Sequence, residues 1–221
     1  MSHRFVTVTA LFVTCLIAAN VIAVKIVSFG LLTLPAGVIV FPLSYVLGDV
    51  ITEVYGYKEM RRVIWLGFFC NLLFVVFIWL GQKLPVAPFW MWQEAYKTIL
   101  GFTRRLLFAS FCGYFVGSFS NSFILAKMKV LTQGHFLWAR TIGSTIIGEG
   151  LDTVIFIVFA FVGTPLFVPV IILHHFLVKV SIEVVATPLT YAIVKWLKKM
   201  DMTDVYDLKT DFNPFRIRTG P

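Results

Sequence analysis

Five of the eleven acidic residues, Asp49, Glu53, Glu149, Asp152 and Glu183, stand inside long apolar stretches. An ionised carboxylate near the middle of a bilayer costs on the order of 3 kcal/mol, so acids placed there are expected to face a polar interior and to serve a function. Helical spacing gathers them. Asp49 and Glu53 are four apart, with Tyr45 and Thr52 adjoining the same face. Glu149 and Asp152 are three apart, with Thr145 one turn back, and His175, Lys179 and Glu183 follow one another at four-residue steps. Lys25 and Asn20 add polarity to the first apolar stretch. Two lysines, Lys25 and Lys179, cannot neutralise five acids, so packing alone does not account for the set. The chemistry on offer is hydrogen bonding and charge pairing to a polar molecule. Asp49, Glu149, Asp152, Lys179, Asn20, Tyr45, Glu53 and Thr145 are the candidate substrate-binding residues. Glu53, nearest a span end, has the strongest case for an interfacial role.

The elements that must position these groups follow from composition. Of 221 residues, 59% are hydrophobic and 14% charged, against roughly 25% charged in a soluble domain. That excludes a soluble globule, a disordered chain and a fibre. A helix crosses the hydrocarbon core with about 20 apolar residues. Six spans are predicted, at about 6–28, 33–55, 62–81, 105–126, 140–162 and 168–196. The fold class is therefore all-α: a polytopic membrane protein forming one domain over 1–200, followed by a polar, flexible tail over 201–221. Turn signals at Ser28-Phe29-Gly30 ahead of Pro35, and at Gly163-Thr164-Pro165 ahead of Pro169, divide the longer stretches. Thirteen of the nineteen Lys and Arg residues fall on the side that carries both ends, which predicts that both termini are cytoplasmic. The net charge of +8 is thus a topology signal, and no direct nucleic-acid partner is expected. The segment Pro88–Tyr96, rich in aromatics, is expected to lie along the outer headgroup layer. Cys15, Cys70 and Cys112 form no metal or disulfide pattern, and no metal or cofactor is expected.

Ser44-x-x-x-Gly48-Asp49 and Ser144-x-x-x-Gly148-Glu149 share a pattern. They occupy the second and fifth spans, the middle helices of two three-helix halves. Because three is odd, those halves face opposite ways, the inverted-repeat arrangement of secondary transporters whose binding site lies where the repeats meet. On the fourth span Ala109, Gly113, Gly117 and Asn121 recur every four residues, a face for close approach of another helix within the chain or in a homodimer.

The run Phe41-Pro-Leu-Ser-Tyr-Val-Leu-Gly-Asp-Val-Ile-Thr-Glu-Val-Tyr-Gly56, followed by Arg61-Arg62, resembles the signature of the queuosine precursor transporters, within the vitamin uptake transporter group. Arg140-Thr-Ile-Gly-Ser-Thr145 through Gly148, Glu149, Asp152 and Thr153 resembles its second motif, and Lys179 followed by Pro188 its sixth-span pattern. The resemblance covers about residues 6–200. It implies a multi-pass protein of the bacterial inner membrane that imports 7-deazaguanine bases, the 7-cyano and 7-aminomethyl forms, for queuosine salvage into transfer RNA. A guanine-type edge offers parallel N–H donors that one carboxylate can accept. Asp49, Glu149 or Asp152 suits that role, with Asn20 or a serine at the carbonyl and Tyr45 or Phe41 stacking on the ring. The expected mechanism is alternating access around a mid-membrane site, with no Walker sequence for ATP hydrolysis in this chain. Two alternatives compete. One is a substrate-capture subunit of an energy-coupling-factor importer, docked through Ala19-x-x-x-Ala23; the other is an intramembrane aspartyl protease with Asp49 and Asp152 sharing a proton. The protease lacks the first glycine of Gly-x-Gly-Asp, and His174-His175 does not form a zinc-protease motif.

Overall fold

A computed structural model describes residues 2–29, 32–101, 104–163 and 170–216. Seven helices occur among them: α1 (His3–Ile22), α2 (Phe41–Tyr55), α3 (Tyr57–Lys83), α4 (Gln93–Leu100), α5 (Arg104–Leu131), α6 (Leu137–Phe161) and α7 (Val170–Asp201). Six helical segments are long and apolar enough to cross a membrane. Gly30, the turn residues Thr164 and Pro165 with Pro169, the first residues of the sixth expected span, and the chain after Arg216 lie outside the described residues.

The first two spans depart from the expected bounds. Instead of reaching residue 28, α1 stops at Ile22, and the chain forms an antiparallel hairpin of β1 (Ile26–Phe29) and β2 (Leu32–Pro35), with Val27 opposite Leu34 and Ser28 opposite Thr33. β-Branched residues around Lys25 favour the strand, and Lys25 itself is exposed beyond the helix end. It is therefore not a charge within a span. A short 3-10 turn, Ala36–Ile39, then leads into α2, whose first turn tolerates Pro42 because that N–H needs no helical partner.

α2 is the central element. In the most apolar part of Ala36–Tyr55, the 3-10 turn with α2, 72% of residues are buried, against 22% for α3, so α3 is a peripheral helix and α2 is enclosed by neighbours. Phe5, Val8, Phe12 and Leu16 form one stripe of α1 and meet Val50, Ile51 and Val54 of α2 and Met60, Val63 and Ile64 of α3 in the main apolar cluster. Gly56 joins α2 to α3 with φ of 84°, a left-handed conformation that glycine adopts without strain. α5 and α6 pack most closely through glycines. A Cβ on Gly117 would lie 2.9 Å from the Gly148 carbonyl oxygen, and one on Gly148 would lie 2.6 Å from the Asn121 Cβ. The small-residue face of the fourth span is therefore used within the chain.

The tail also departs from expectation, because residues 203–215 return along the groove between α3 and α5. The Tyr57 N–H donates to Asp207 at 3.0 Å, Arg61 donates to the Asp211 and Asn213 carbonyls at 2.8 Å each, and Trp65 donates to the Pro214 carbonyl at 2.9 Å. Phe212 packs on Tyr57 and Phe123. Buried Arg61 and the open first turn of α3 need acceptors, and the tail supplies them.

Candidate substrate-binding site

Glu149 and Asp152 project from α6 toward Lys179 on α7. The Lys179 Nζ donates to Glu149 Oε2 and to Asp152 Oδ2, both at 2.7 Å, and reaches Thr153 Oγ1 at 3.5 Å. All four side chains are buried. Such short charge-assisted bonds are strong in a low-dielectric interior, and they are needed, because an unpaired buried ion is costly. The ammonium also stands 4.6 Å from the Phe41 ring centroid, a cation–π contact that ties α7 to the start of α2.

A cavity of about 80 Å³ opens beside this cluster. On a scale where one water needs about 10–15 Å³, it holds several waters. Asp152 and Lys179 supply its charges, Asn20, Ser110 and His175 its other polar groups, and Phe41 and Phe156 flat apolar walls. Its walls come from both halves of the chain. Tyr45 borders the same region: a Cβ on Gly117 would meet the Tyr45 hydroxyl at 2.8 Å and the Asp152 Cβ at 2.7 Å. Gly113 is placed likewise, since a Cβ there would lie 2.7 Å from Asp152 Oδ1. The two glycines make room for the carboxylate.

The eight candidate residues separate into three groups. Asp152, Lys179 and Asn20 line the cavity, with Glu149 joined to it through the Lys179 ammonium and Tyr45 beside Gly117 in a separate small cavity shared with Ser44 and Asn121. Asp49 and Thr145 are buried outside the cavity's lining: Asn121 Nδ2 donates to Asp49 Oδ1 at 2.6 Å, and Asp49 Oδ2 and Thr145 Oγ1 have no hydrogen-bond partner among the described residues. Glu53 forms a third group. Arg140 and Lys198 donate to its Oε1 at 3.0 and 2.7 Å, and Lys129 bonds its backbone carbonyl at 2.5 Å. Those partners neutralise Glu53 near the end of the bundle where Arg4 pairs with Asp201. With Asp49 bonded to Asn121 and Asp152 to Lys179, no Asp49–Asp152 dyad is formed among the described residues. The Ala19–Ala23 face is taken in-chain as well, since a Cβ on Gly37 would meet the Ala19 carbonyl oxygen at 2.7 Å.

Sequence reasoning did not place Ser110, Phe156, His175 or Asn121 at a site. His175 had a signal, one turn before Lys179 on the same stripe. Ser110 and Phe156 had none, because their role depends on how α5 and α6 cross.

A family model described as "Putative vitamin uptake transporter" matches residues 35–193. A relative in Bacillus subtilis (strain 168), described as a "Probable queuosine precursor transporter", is 29% identical over 187 residues, covering 82% of this chain and 80% of the relative. No solved structure matches.

Proposed function

The chain belongs to the vitamin uptake transporter family, and from that premise we propose that it imports queuosine precursors, 7-deazaguanine bases such as the 7-cyano and 7-aminomethyl forms. The observation that carries this reading is the likeness to the Bacillus subtilis relative along most of both chains. The cavity is chemically suited to such a cargo. Asp152 accepts the adjacent N–H donors of the guanine-type edge, and Asn20 or Ser110 reads the carbonyl. Phe41 and Phe156 sandwich the ring, the planar stacking that aromatic walls favour. Lys179 bonds Glu149 and Asp152 and aims both. Glu149 then acts as a positioning residue, since it touches the ammonium but does not line the cavity.

Transport proceeds by alternating access of two three-helix halves around this cavity, in the bacterial inner membrane with both termini cytoplasmic. Two observations support the halves as inverted repeats. The cavity walls come from both, and the matched serines make the same local bond, Ser44 to the Phe41 carbonyl and Ser144 to the Thr141 carbonyl. Such a repeat interface is where transporters bind cargo.

The test is rescue of transfer-RNA queuosine in cells that cannot make the base but are supplied with it. The wild-type chain is expected to restore the modification. Lys179→Met and Asp152→Asn should reduce it at least tenfold at equal membrane abundance. Full rescue by both variants would remove the cavity from the reading, and no rescue by the wild type would remove the substrate.

A further inference from the structure

Among the described residues, a second pair of acids is buried without a bonded cation. Lys179 is engaged by Glu149 and Asp152, while Arg140, Lys129 and Lys198 are engaged by Glu53 and Asp204. Glu183, one turn beyond Lys179 on α7, is 1% exposed, and neither carboxylate oxygen has a hydrogen-bond partner among the described residues. Asp49 is 0% exposed and keeps Oδ2 equally unpartnered. α2 packs against α7, so Asp49 and Glu183 stand on neighbouring helices; Glu183, Glu53 and Glu149 are the acids whose charges reach Asp49, and Glu149 is the one that reaches Glu183. The Asn121 amide that holds Asp49 has its own oxygen buried and without a hydrogen-bond partner among the described residues.

The charges around this pair are known from every side. α2 contributes Glu53, already neutralised; α6 contributes Glu149, Asp152 and Arg140; α7 contributes His175, Lys179 and Lys198; α5 contributes Lys129. Arg140, Lys129, Lys179 and Lys198 each have an acidic partner other than Glu183 and Asp49, while the buried His175 Nε2 has no hydrogen-bond partner among the described residues. Two ionised carboxylates cannot stand together in a low-dielectric interior without a positive charge. A hard metal ion takes about six or more oxygens, and no group of three or more His, Cys, Asp or Glu suited to a metal occurs among the described residues. A proton needs only one oxygen.

We propose that the Asp49–Glu183 pair binds one proton per cycle and that this proton is the coupling ion for import. The inference rests on the reading of the chain as an importer of 7-deazaguanine bases and adds its driving force. Glu183 is a helical turn from Lys179, so gain or loss of the proton alters the field on the ammonium that organises the substrate cavity. Substrate site and ion site are thereby separate but adjacent.

The experiment uses purified full-length protein in proteoliposomes with labelled 7-cyano-7-deazaguanine. Two rates are read: exchange against unlabelled base with no gradient, and net accumulation under an imposed pH or sodium gradient. With the outside one pH unit more acidic, the wild type should accumulate base up to about tenfold; an uncoupler should abolish this, and a sodium gradient should not replace it. Adding base to wild-type vesicles should also make the outside more alkaline, a readout that needs no variant. Glu183→Gln should exchange at near the wild-type rate yet accumulate nothing under the pH gradient. Accumulation driven by sodium, accumulation unaffected by pH, or a Glu183→Gln variant still driven by pH would each overturn the inference while leaving the importer reading in place. Absence of any exchange by the wild type would overturn both.

Discussion

Buried acids meet different partners in this molecule. Glu53 is clasped by Arg140, Lys129 and Lys198, whereas Asp152 shares a single ammonium and borders an opening. On the proposed function, the difference separates a structural group from a binding one. Glu53→Gln leaves Arg140 and Lys129 buried beside a neutral amide, a loss on the order of 3–5 kcal/mol. It is expected to lower the thermal midpoint and the membrane abundance markedly, while transport per surviving molecule changes less than twofold; thermal unfolding in detergent beside normalised uptake checks it. Asp49, Glu149, Asp152 and Lys179 were legible as an internal polar set, because charge in an apolar run is conspicuous. Their grouping was not. Glu53 is neutralised by cations from three distant segments, and Lys25 leaves its expected span because the helix ends at Ile22. Spacing along one helix cannot show which charge on another helix lies opposite.

The contact between α5 and α6 sets the shape of the cavity. Gly113 and Gly117 let Asp152 and the Tyr45 hydroxyl approach the α5 backbone. The small-residue face was plain in the sequence, but its partner was not, because such a stripe accepts any close helix. Gly117→Ala must displace the Asp152 Cβ or the Gly148 carbonyl, overpacking worth about 1–3 kcal/mol. Uptake is expected to fall more than tenfold, with only a modest loss of abundance; normalised uptake together with the unfolding midpoint checks it. Unchanged uptake would show that the carboxylate position is not critical. The hairpin between α1 and α2 was missed for a different reason. Its strands are short and apolar, and in such runs a strand and a span edge read alike.

As a whole, the molecule closes on itself at the end that carries both described termini. Ser2 and Arg4 of α1 and Tyr55 of α2 bond Asp201 at the end of α7, and the segment beyond straps α3 to α5. Six spans were legible because bilayer thickness imposes their length. The strap was not, because its anchors are backbone carbonyls offered to Arg61 and Trp65, and a polar, Asp-rich run resembles a solvated end. Deleting residues 203–221 strips acceptors from Arg61 and Lys129, each worth roughly 1–3 kcal/mol, and should lower the unfolding midpoint by several degrees without changing the span count. The strap should also loosen in acid. Although burial pushes the Asp204 carboxyl up, the Lys129 and Lys198 ammoniums bonded to it hold it below the usual carboxylate range. Its contribution is therefore present at neutral pH and lost as pH falls through that lowered value. Limited proteolysis of the tail between pH 7 and pH 3 checks this; cleavage that slows toward acid would contradict it.

The central claim is that a 7-deazaguanine base occupies the cavity between Asp152, Lys179 and Phe41. The most direct measurement is equilibrium binding of labelled 7-cyano-7-deazaguanine to the purified protein, wild type beside Asp152→Asn. Saturable binding to the wild type is expected, with at least tenfold weaker binding to the variant at an unchanged unfolding midpoint. Equal affinity in the two proteins would contradict it.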